Sequence, residues 1–382
     1  IIFLFIGAFG VYNYFKLPID AVPDITNVQV QINSEAQGLS PTEMESQVTY
    51  PIETALAGIP NLDYTRSVSR YGLSQVTAIF KEGTDIYFAR QLVNEKLQGV
   101  TPSLPGGIST SMGPVSTGLG EIFMYTVENA KNNPTPLSPT ELRTLQDWVI
   151  KPQLRNVEGV NEINTIGGYL KQFVVQPDYA YLRSIGLDQK TILDAISKNS
   201  MNKGSGYIEK NGEQYLIRSD SQISSIEQIQ NIPITTSNGY ILRLKDVAKI
   251  SIGHELRTGA ATKDGQEIVL GTAFMLIGEN SRNVAHAVDQ KLQQVQKSLP
   301  EGVEAKAVYN RTTLVDATIE TVKKNLLEGA ILVIVVLFIF LGHFRAALIT
   351  AMVIPLSMLM TITGMVNQKI SANLMSLGAL DF

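Results

Sequence analysis

Uninterrupted apolar runs at both ends of this 382-residue chain constrain its fold more than any other feature. The run 346–366 has 21 residues without a charge, and about 20 let a helix cross the hydrocarbon core of a bilayer. The run 326–341 is apolar apart from Glu328, and 1–11 is apolar throughout. Buried core helices of a soluble protein are the alternative, but two long runs in close tandem disfavour it. We therefore predict membrane-spanning segments at 1–16, the end of a first helix, and at 323–342, 346–366 and 370–382, where a fourth helix starts.

The composition excludes several kinds of functional site in this chain. The absence of cysteine rules out disulfide scaffolds, cysteine zinc sites, iron–sulfur centres and cysteine nucleophiles. A formal net charge of −4 provides no basic surface for nucleic acid. The three histidines lie too far apart for a local metal motif such as HExxH, and no GxxxxGKS/T phosphate loop occurs. We therefore expect neither a nucleic-acid partner nor ATP hydrolysis.

The long polar stretch between the apolar runs is built from a repeated unit. The pentapeptide LSPTE occurs at 39–43 and again at 137–141. In each copy the serine can cap a helix that begins at the proline, and the glutamate completes a capping box. Strand-like runs lie around both boxes, at 27–32, 64–69 and 74–80 in the first copy and at 121–127, 162–166 and 171–176 in the second. The two copies therefore indicate two structural units of one type.

The order of the elements predicts ferredoxin-like units. A helix at 85–97 follows the strands of the first copy and gives the βαββα order of a split βαβ unit. In the second copy, Asn-Gly hairpin signals at 207–218 and 232–244 predict a β-rich insert. The missing half of the second unit then returns as a strand, a helix and a strand, at 268–276, 281–299 and 303–308. We therefore predict an α+β integral membrane protein whose terminal helices bracket a large extracytoplasmic domain of such units.

Three residues are candidates for function. Asp381 is a carboxylate within an apolar segment, and such residues usually serve as proton relays, ion sites or pair partners inside a helix bundle. Glu121 ends a glycine-rich loop and could bind a hard or borderline cation, although a solvated glutamate at a strand start is the alternative. Met375 is one of several methionines in the apolar runs. Methionine thioethers bind soft ions such as Cu(I), but methionine side chains also commonly fill gaps between helices.

A family resemblance is carried by four stretches, at 17–32 (LPIDAVPDITNVQVQI), 278–282 (GENSR), 309–319 (YNRTTLVDATI) and 373–382 (NLMSLGALDF). They resemble the CzcA/CusA-like heavy-metal efflux branch of the resistance–nodulation–division (RND) transporters, and the resemblance covers the whole chain as an N-terminal portion. It implies a homotrimeric, multi-pass proton/cation antiporter of a Gram-negative inner membrane rather than an enzyme. It further implies a periplasmic membrane-fusion adaptor and an outer-membrane channel as partners, with no cofactor besides the transported metal cation and the proton gradient.

The resemblance also implies how the polar stretch is divided. A first porter subdomain would occupy 17–112. A second would occupy 113–186 and 265–322, including the linker before the next membrane helix. The β-rich insert at 187–264 would be a docking subdomain that contacts the outer-membrane channel. Because such pumps need both of their halves, we expect the chain to belong to a longer pump and not to transport metal alone.

The metal class and the site residues follow from the same resemblance. Asp381-Phe382 resembles the start of the DFG motif of divalent-metal members, which copper and silver members lack, so zinc, cobalt, cadmium or nickel is favoured. Glu121 matches a loop carboxylate that resembles a zinc ligand of the porter site, whereas Met375 stands where copper pumps place a substrate methionine. Three alternatives stay open: a copper or silver exporter, a multidrug RND exporter, and a non-transporting membrane-anchored module.

Overall fold

The computed structural model of the chain contains both helices and strands and divides into two compact units. The first unit comprises Ile1–Pro134, Gln146–Thr165 and Leu270–Phe382, and the second comprises Thr135–Leu145 and Ile166–Val269. The structure describes residues 2–15, 17, 26–36, 38–115, 118–200, 204–218, 223–236, 239–255, 259–341, 344–368, 370, 372–373 and 375–376.

The elements follow the predicted order closely. The strands are β1 (Gln29–Glu35), β2 (Leu62–Arg70), β3 (Leu73–Phe80), β4 (Ser109–Met112), β5 (Glu121–Asn129), β6 (Val160–Ile166), β7 (Lys171–Pro177), β8 (Gly204–Lys210), β9 (Glu213–Arg218), β10 (Pro233–Thr235), β11 (Ile241–Arg243), β12 (Ala248–His254), β13 (Ala261–Lys263), β14 (Gln266–Met275) and β15 (Val303–Asn310). The helices are α1 (Ile2–Tyr14), α2 (Pro41–Met44), α3 (Tyr50–Leu56), α4 (Ile86–Val100), α5 (Pro139–Leu145), α6 (Lys151–Arg155), α7 (Tyr179–Ser184), α8 (Gln189–Asn199), α9 (Ile226–Gln230), α10 (Leu244–Val247), α11 (Ser281–Gln296), α12 (Thr312–Leu341), α13 (Phe344–Ala351) and α14 (Val353–Asn367).

The first repeat forms a four-stranded sheet in the order β2-β3-β1-β4, with every neighbouring pair antiparallel. Alternating side chains of the strands, such as Val30, Ile32 and Val76, are fully buried. They pack in one hydrophobic cluster with Ile52 of α3 and Val93 of α4. This βαββαβ arrangement confirms the ferredoxin-like unit that the sequence predicts for the first copy.

The second repeat forms an equivalent sheet, which is completed by strands β14 and β15 from after the insert. Its order is β15-β5-β14, and β6 also pairs with β14. Within the second unit, β13 pairs with the first residues of β14. The return of a strand, a helix and a strand after the insert is therefore confirmed.

The strand predicted at 171–176 is present as β7. It does not pair beside β6, as β3 pairs beside β2 in the first repeat, but pairs antiparallel with β12 in a separate two-stranded ribbon. Strand β14 lies at the centre of the sheet of the second repeat, where both faces of a strand are covered. Its consecutive residues Ile268 and Val269 are accordingly both buried. The first residues of β7, Lys171 and Gln172, are exposed and do not suit that position.

Both predicted capping boxes are present. The carboxylate of Glu43 accepts the Ser40 N–H at 2.8 Å, and that of Glu141 accepts the Ser138 N–H at 2.7 Å. In return, the serine hydroxyls accept the backbone N–H of Glu43 at 3.4 Å and of Glu141 at 3.3 Å. Hydrogen bonds from the serine side chain and backbone lower the pKa of both glutamates below the ordinary value of 4.5.

Each repeat also contains a π-helical turn that the sequence analysis does not anticipate. These turns span Glu45–Thr49 in the first repeat and Gln146–Ile150 in the second, directly before α3 and α6. Each following helix has a proline in second place, Pro51 or Pro152. A proline has no N–H to donate and its ring crowds the carbonyl one turn earlier, so a wider turn before it relieves that clash.

The second unit contains the predicted β-rich insert. Strands β8 and β9 form an antiparallel hairpin, and so do β10 and β11. Asn211 and Gly212 both have positive φ, as the two-residue turn of the first hairpin requires. A separate small core supports this unit, with Leu182, Ile229, Ile234 and Leu244 buried. The Asn-Gly signals therefore predict the hairpins correctly.

In the first unit, the terminal helix α1 packs against α14. A Cβ atom at Gly10 would lie 2.5 Å from the Leu359 Cβ, so only glycine permits this close approach. The buried Asn13 donates from Nδ2 to the Thr363 hydroxyl at 3.4 Å. Among the residues that the structure describes, no helix combines the length and the apolar character that a membrane crossing needs. The membrane-spanning segments stay a prediction.

Candidate functional site

The candidate site lies where the two repeats join, at the loop of residues 113–121, which we name the Glu121 loop. It begins directly after β4 and ends at Glu121, the first residue of β5. Gly118–Gly120 form a single 3₁₀ turn that leads into the strand. Residues 116 and 117 lie outside the described residues. The glutamate that the sequence selects is therefore the last residue of a linker between two sheets.

The first end of the Glu121 loop is bound to the first repeat. The Gly113 N–H donates to the Gln31 carbonyl at 2.7 Å, and Arg90 of α4 donates from Nη1 to the Gly113 carbonyl at 2.6 Å. A Cβ atom at Gly113 would lie 3.2 Å from the Gln31 Cβ, so a larger residue would crowd this contact. Burial lowers the pKa of Arg90, but an arginine stays charged in a protein.

The second end of the loop is bound to the start of α12. Arg311 is only 6% exposed, and its guanidinium Nη1 donates to the Leu119 carbonyl. The backbone N–H of the same arginine donates to the Ile122 carbonyl at 3.0 Å. The Asn310 Oδ1 accepts the N–H of Thr312 at 3.0 Å and its hydroxyl at 2.7 Å, which caps the helix start. One residue therefore contacts the chain on both sides of Glu121.

Glu121 itself is half-buried. Within the described residues its side chain takes part in no hydrogen bond or ion pair. Phe123 and Tyr125 follow it at every second position of β5, and both are fully buried. Carboxylate oxygens at such a position can coordinate a hard or borderline cation. In the described part of the chain, no three His, Asp or Glu side chains lie close enough together to hold a metal ion. Glu121 can therefore be only one ligand of a metal site whose other ligands lie elsewhere.

The other two predicted site residues are placed differently. Met375 follows α14 and is 73% exposed. Its backbone N–H donates to the Asn373 Oδ1 at 2.9 Å. Asp381 lies outside the described residues, so its role as a proton relay stays a prediction.

A charged cluster links α11 and α12, and the sequence analysis does not identify it. The Arg282 Nε lies 2.6 Å from Asp316 Oδ1, and His286 Nε2 lies 3.4 Å from Asp316 Oδ2. Next to it, Asn280 donates from Nδ2 to the Leu17 carbonyl at 3.4 Å. Leu17, Asn280 and Asp316 come from three of the stretches that carry the family resemblance. That common origin is the signal from which the cluster could have been found.

A second unanticipated group is buried under the π-helical turn of the second repeat. Gln146 donates from Nε2 to the Tyr125 hydroxyl at 2.8 Å, and the Thr165 hydroxyl donates to Asp147 Oδ1 at 2.8 Å. Burial raises the pKa of Tyr125 far above its ordinary value, so its hydroxyl stays protonated. Asp147 is half-buried, and its carboxylate is bonded to Thr165 of the same repeat. We interpret this group as structural.

Residues 1–382 match the sequence model of the AcrB/AcrD/AcrF family. The chain belongs to this family. Its members are RND efflux transporters, which are not enzymes, and the resemblance to the heavy-metal branch is confirmed by the relatives below.

Two curated relatives and one solved structure support the assignment. The chain is 63% identical to Protein HelA of Legionella pneumophila, over 99% of this chain and 36% of the relative. It is 60% identical to the cobalt-zinc-cadmium resistance protein CzcA of Cupriavidus metallidurans, over 98% of this chain and 36% of the relative. A crystal structure of a heavy metal efflux pump superposes with a TM-score of 0.87 at 34% identity, over 100% of this chain and 38% of that chain. The chain therefore spans little more than a third of the length of these relatives.

Proposed function

We propose that the full-length protein to which this chain belongs exports divalent heavy-metal cations of the zinc, cobalt, cadmium and nickel type, using the proton gradient. One observation carries the proposal: 60% identity to a relative named for cobalt, zinc and cadmium resistance, across 98% of this chain. The likeness to the crystal structure of a heavy metal efflux pump supports the same substrate class. Because the chain spans 36% of that relative, the activity is assigned to the full-length protein.

A location in the inner membrane of a Gram-negative bacterium is part of the proposal. The C-terminal part of α12 is rich in large apolar side chains that are exposed in the structure, including Leu332, Ile339 and Phe340. A continuous exposed apolar surface indicates a lipid or protein contact, and we assign it to lipid because the neighbouring runs are equally apolar. The family relationship also supports a homotrimer that works with a periplasmic adaptor and an outer-membrane channel.

Energy coupling is assigned to Asp381. A carboxylate in an apolar segment changes charge when it binds a proton, and that change can bias the packing of the surrounding helices. Moving one elementary charge through 100 mV is worth about 2.3 kcal/mol, so a few protons per cycle can drive export against a concentration gradient. Glu121 is assigned as one of the metal ligands, with the remaining ligands supplied from outside the described residues.

Two other substrate classes are less well supported. A copper or silver exporter would use Met375 and its neighbours as soft ligands. A multidrug exporter would need an aromatic, apolar pocket, whereas aromatic residues make up only 7% of this chain. A non-transporting membrane-anchored module would need no proton-linked residue such as Asp381.

The test uses the full-length protein in an efflux-deficient bacterial host. We would measure cell-associated Zn, Co, Cd, Ni, Cu and Ag by mass spectrometry for the wild type, for Asp381→Asn and for a matched control, Glu328→Gln. Each variant removes one carboxylate from an apolar run, and equal amounts in the membrane fraction establish equal expression. We expect the wild type and Glu328→Gln to lower the divalent metals and Asp381→Asn to leave them high.

Each other result points to a different function. A decrease in Cu or Ag alone would contradict the divalent assignment and favour the methionine site. Full export by Asp381→Asn would remove the proton-relay role while leaving metal export in place. No change in any metal would favour drug export, which a dye-efflux assay detects, or a non-transporting module.

A further inference from the structure

Arg311 brackets the candidate ligand Glu121 on both sides. Its guanidinium binds the Leu119 carbonyl, two residues before Glu121, and its backbone N–H binds the Ile122 carbonyl, one residue after it. Leu119 and Arg311 are 192 positions apart in the sequence, so no local rule brings them together. The backbone on both sides of Glu121 is therefore held by the residue that directly precedes α12.

The attachment of Arg311 is well suited to hold the loop in place. The side chain is almost fully buried, and a charge-assisted hydrogen bond is stronger in such surroundings than in water. Thr312, the next residue, is also buried and is bonded to Asn310, which fixes Arg311 relative to the first turn of α12. A displacement of this turn would therefore displace the backbone on both sides of Glu121.

The two ends of the Glu121 loop are held by arginines of different elements. Arg90 of α4 binds the Gly113 carbonyl, whereas Arg311 precedes α12 and binds the Leu119 carbonyl. Helix α12 has 30 residues and is about 45 Å long at 1.5 Å per residue, so Arg311 stands at one end of a long element. A shift of α12 relative to α4 would change the distance between the Gly113 and Leu119 carbonyls that these two arginines bind.

We infer that Arg311 is a positioning residue that couples the location of α12 to the metal affinity of Glu121. It does not contact the cation; it orients the backbone from which the carboxylate extends. This inference rests on the proposed function, because it assumes that Glu121 is one of the metal ligands. Any event that moves α12 would then tighten or loosen metal binding at the loop.

The experiment measures Zn²⁺ affinity of the purified full-length protein with a competing fluorescent chelator. The variants are Glu121→Gln, Arg311→Met, the double variant, and the control Arg143→Met. Arg143 is a suitable control because its guanidinium Nη1 also binds a backbone carbonyl, that of Gly167, at 2.9 Å, but within the second unit. We expect Arg311→Met to weaken Zn²⁺ binding by up to about tenfold, because the strength of the one hydrogen bond that holds the backbone beside Glu121 limits the size of the loss.

The double variant separates positioning from general stability. If Arg311 acts through Glu121, the double variant binds Zn²⁺ no more weakly than Glu121→Gln alone, and Arg143→Met binds like the wild type. Additive losses in the double variant would overturn the inference, as would an Arg311→Met affinity equal to that of the wild type. Should Arg311→Met fail to fold, Arg311→Lys keeps the charge but lacks the planar fork, and we expect an intermediate loss.

A second measurement needs no metal. Hydrogen–deuterium exchange of peptides that cover the Glu121 loop should be faster in Arg311→Met than in the wild type or in Arg143→Met. Unchanged exchange would overturn the attachment itself. If Glu121→Gln binds Zn²⁺ like the wild type, the inference fails although metal export can persist. If the wild type exports no divalent metal from cells, the proposed function fails, and the two failures are thereby distinguished.

Discussion

Arg282 of α11 and Asp316 of α12 are joined by an ion pair of 2.6 Å between Nε and Oδ1. The second oxygen of Asp316 faces His286 Nε2 at 3.4 Å, so both carboxylate oxygens have a cationic or potentially cationic neighbour. This contact joins a helix of the second repeat to the long helix that carries the apolar run. It thereby connects the polar and the apolar parts of the first unit.

We predict a modest but measurable coupling energy between Arg282 and Asp316. Their side chains are 38% and 36% exposed, so solvent screening limits the pair to about 0.5–1 kcal/mol of the free energy of unfolding. A double-mutant cycle with Arg282→Met and Asp316→Asn, followed by denaturant unfolding of the full-length protein, measures this energy. The control pair is Lys324 and Glu328, whose charged atoms are 4.0 Å apart, and we expect no measurable coupling at this longer distance.

We predict opposite outcomes for alanine at two glycines of α1. At Gly10 a Cβ atom would lie 2.5 Å from Leu359 Cβ and 3.0 Å from its carbonyl oxygen, so Gly10→Ala must push α1 and α14 apart. We expect a loss of about 1–3 kcal/mol in the free energy of unfolding, as for other overpacked contacts. At Gly7 the nearest atom lies at 3.9 Å, so Gly7→Ala should be neutral or slightly stabilising. Equal thermal midpoints for the two variants would contradict the close packing at Gly10.

We predict that Tyr125→Phe destabilises the second repeat. The change removes the hydroxyl that accepts from Gln146 Nε2 at 2.8 Å and leaves a buried amide with only a 3.4 Å contact to Thr165. Losing a buried partner of this kind costs about 1–3 kcal/mol in the free energy of unfolding. Tyr309→Phe is the control because Tyr309 is exposed on β15. Indistinguishable denaturant midpoints for the two variants would show that the buried bond contributes no stability.

We predict that the capping boxes lose their contribution in acid. The serine hydrogen bonds lower the pKa of Glu43 and Glu141 in the folded protein, so each carboxylate stabilises the fold at a pH above its unfolded value of 4.5. This contribution is lost as the pH falls through the lowered folded value. The difference in thermal midpoint between the wild type and Glu43→Gln should therefore be present at pH 7 and vanish well below pH 4.5. Glu95→Gln, which removes a carboxylate at an exposed position of α4, is the control.

Only part of the candidate site could be predicted from the sequence. Glu121 could be selected because a carboxylate at the end of a glycine-rich loop is a local pattern. Arg90 and Arg311, which hold the two ends of that loop, could not be selected in the same way. Their roles depend on which backbone carbonyls they reach, and those carbonyls lie 23 and 192 positions away in the chain.

The sequence by itself determined the local elements of this protein: the two capping boxes, the Asn-Gly hairpins, the repeated strand and helix order, and the apolar runs at both ends. These features depend on the conformational preferences and hydrogen-bonding groups of residues close together in the chain, so a local pattern specifies them. Only the tertiary structure decided that β7 pairs with β12 rather than beside β6, that Arg282 meets Asp316, and that Arg311 holds the loop before Glu121. Such pairings join distant segments, and they are selected by which faces become buried together and not by the preferences of either segment alone.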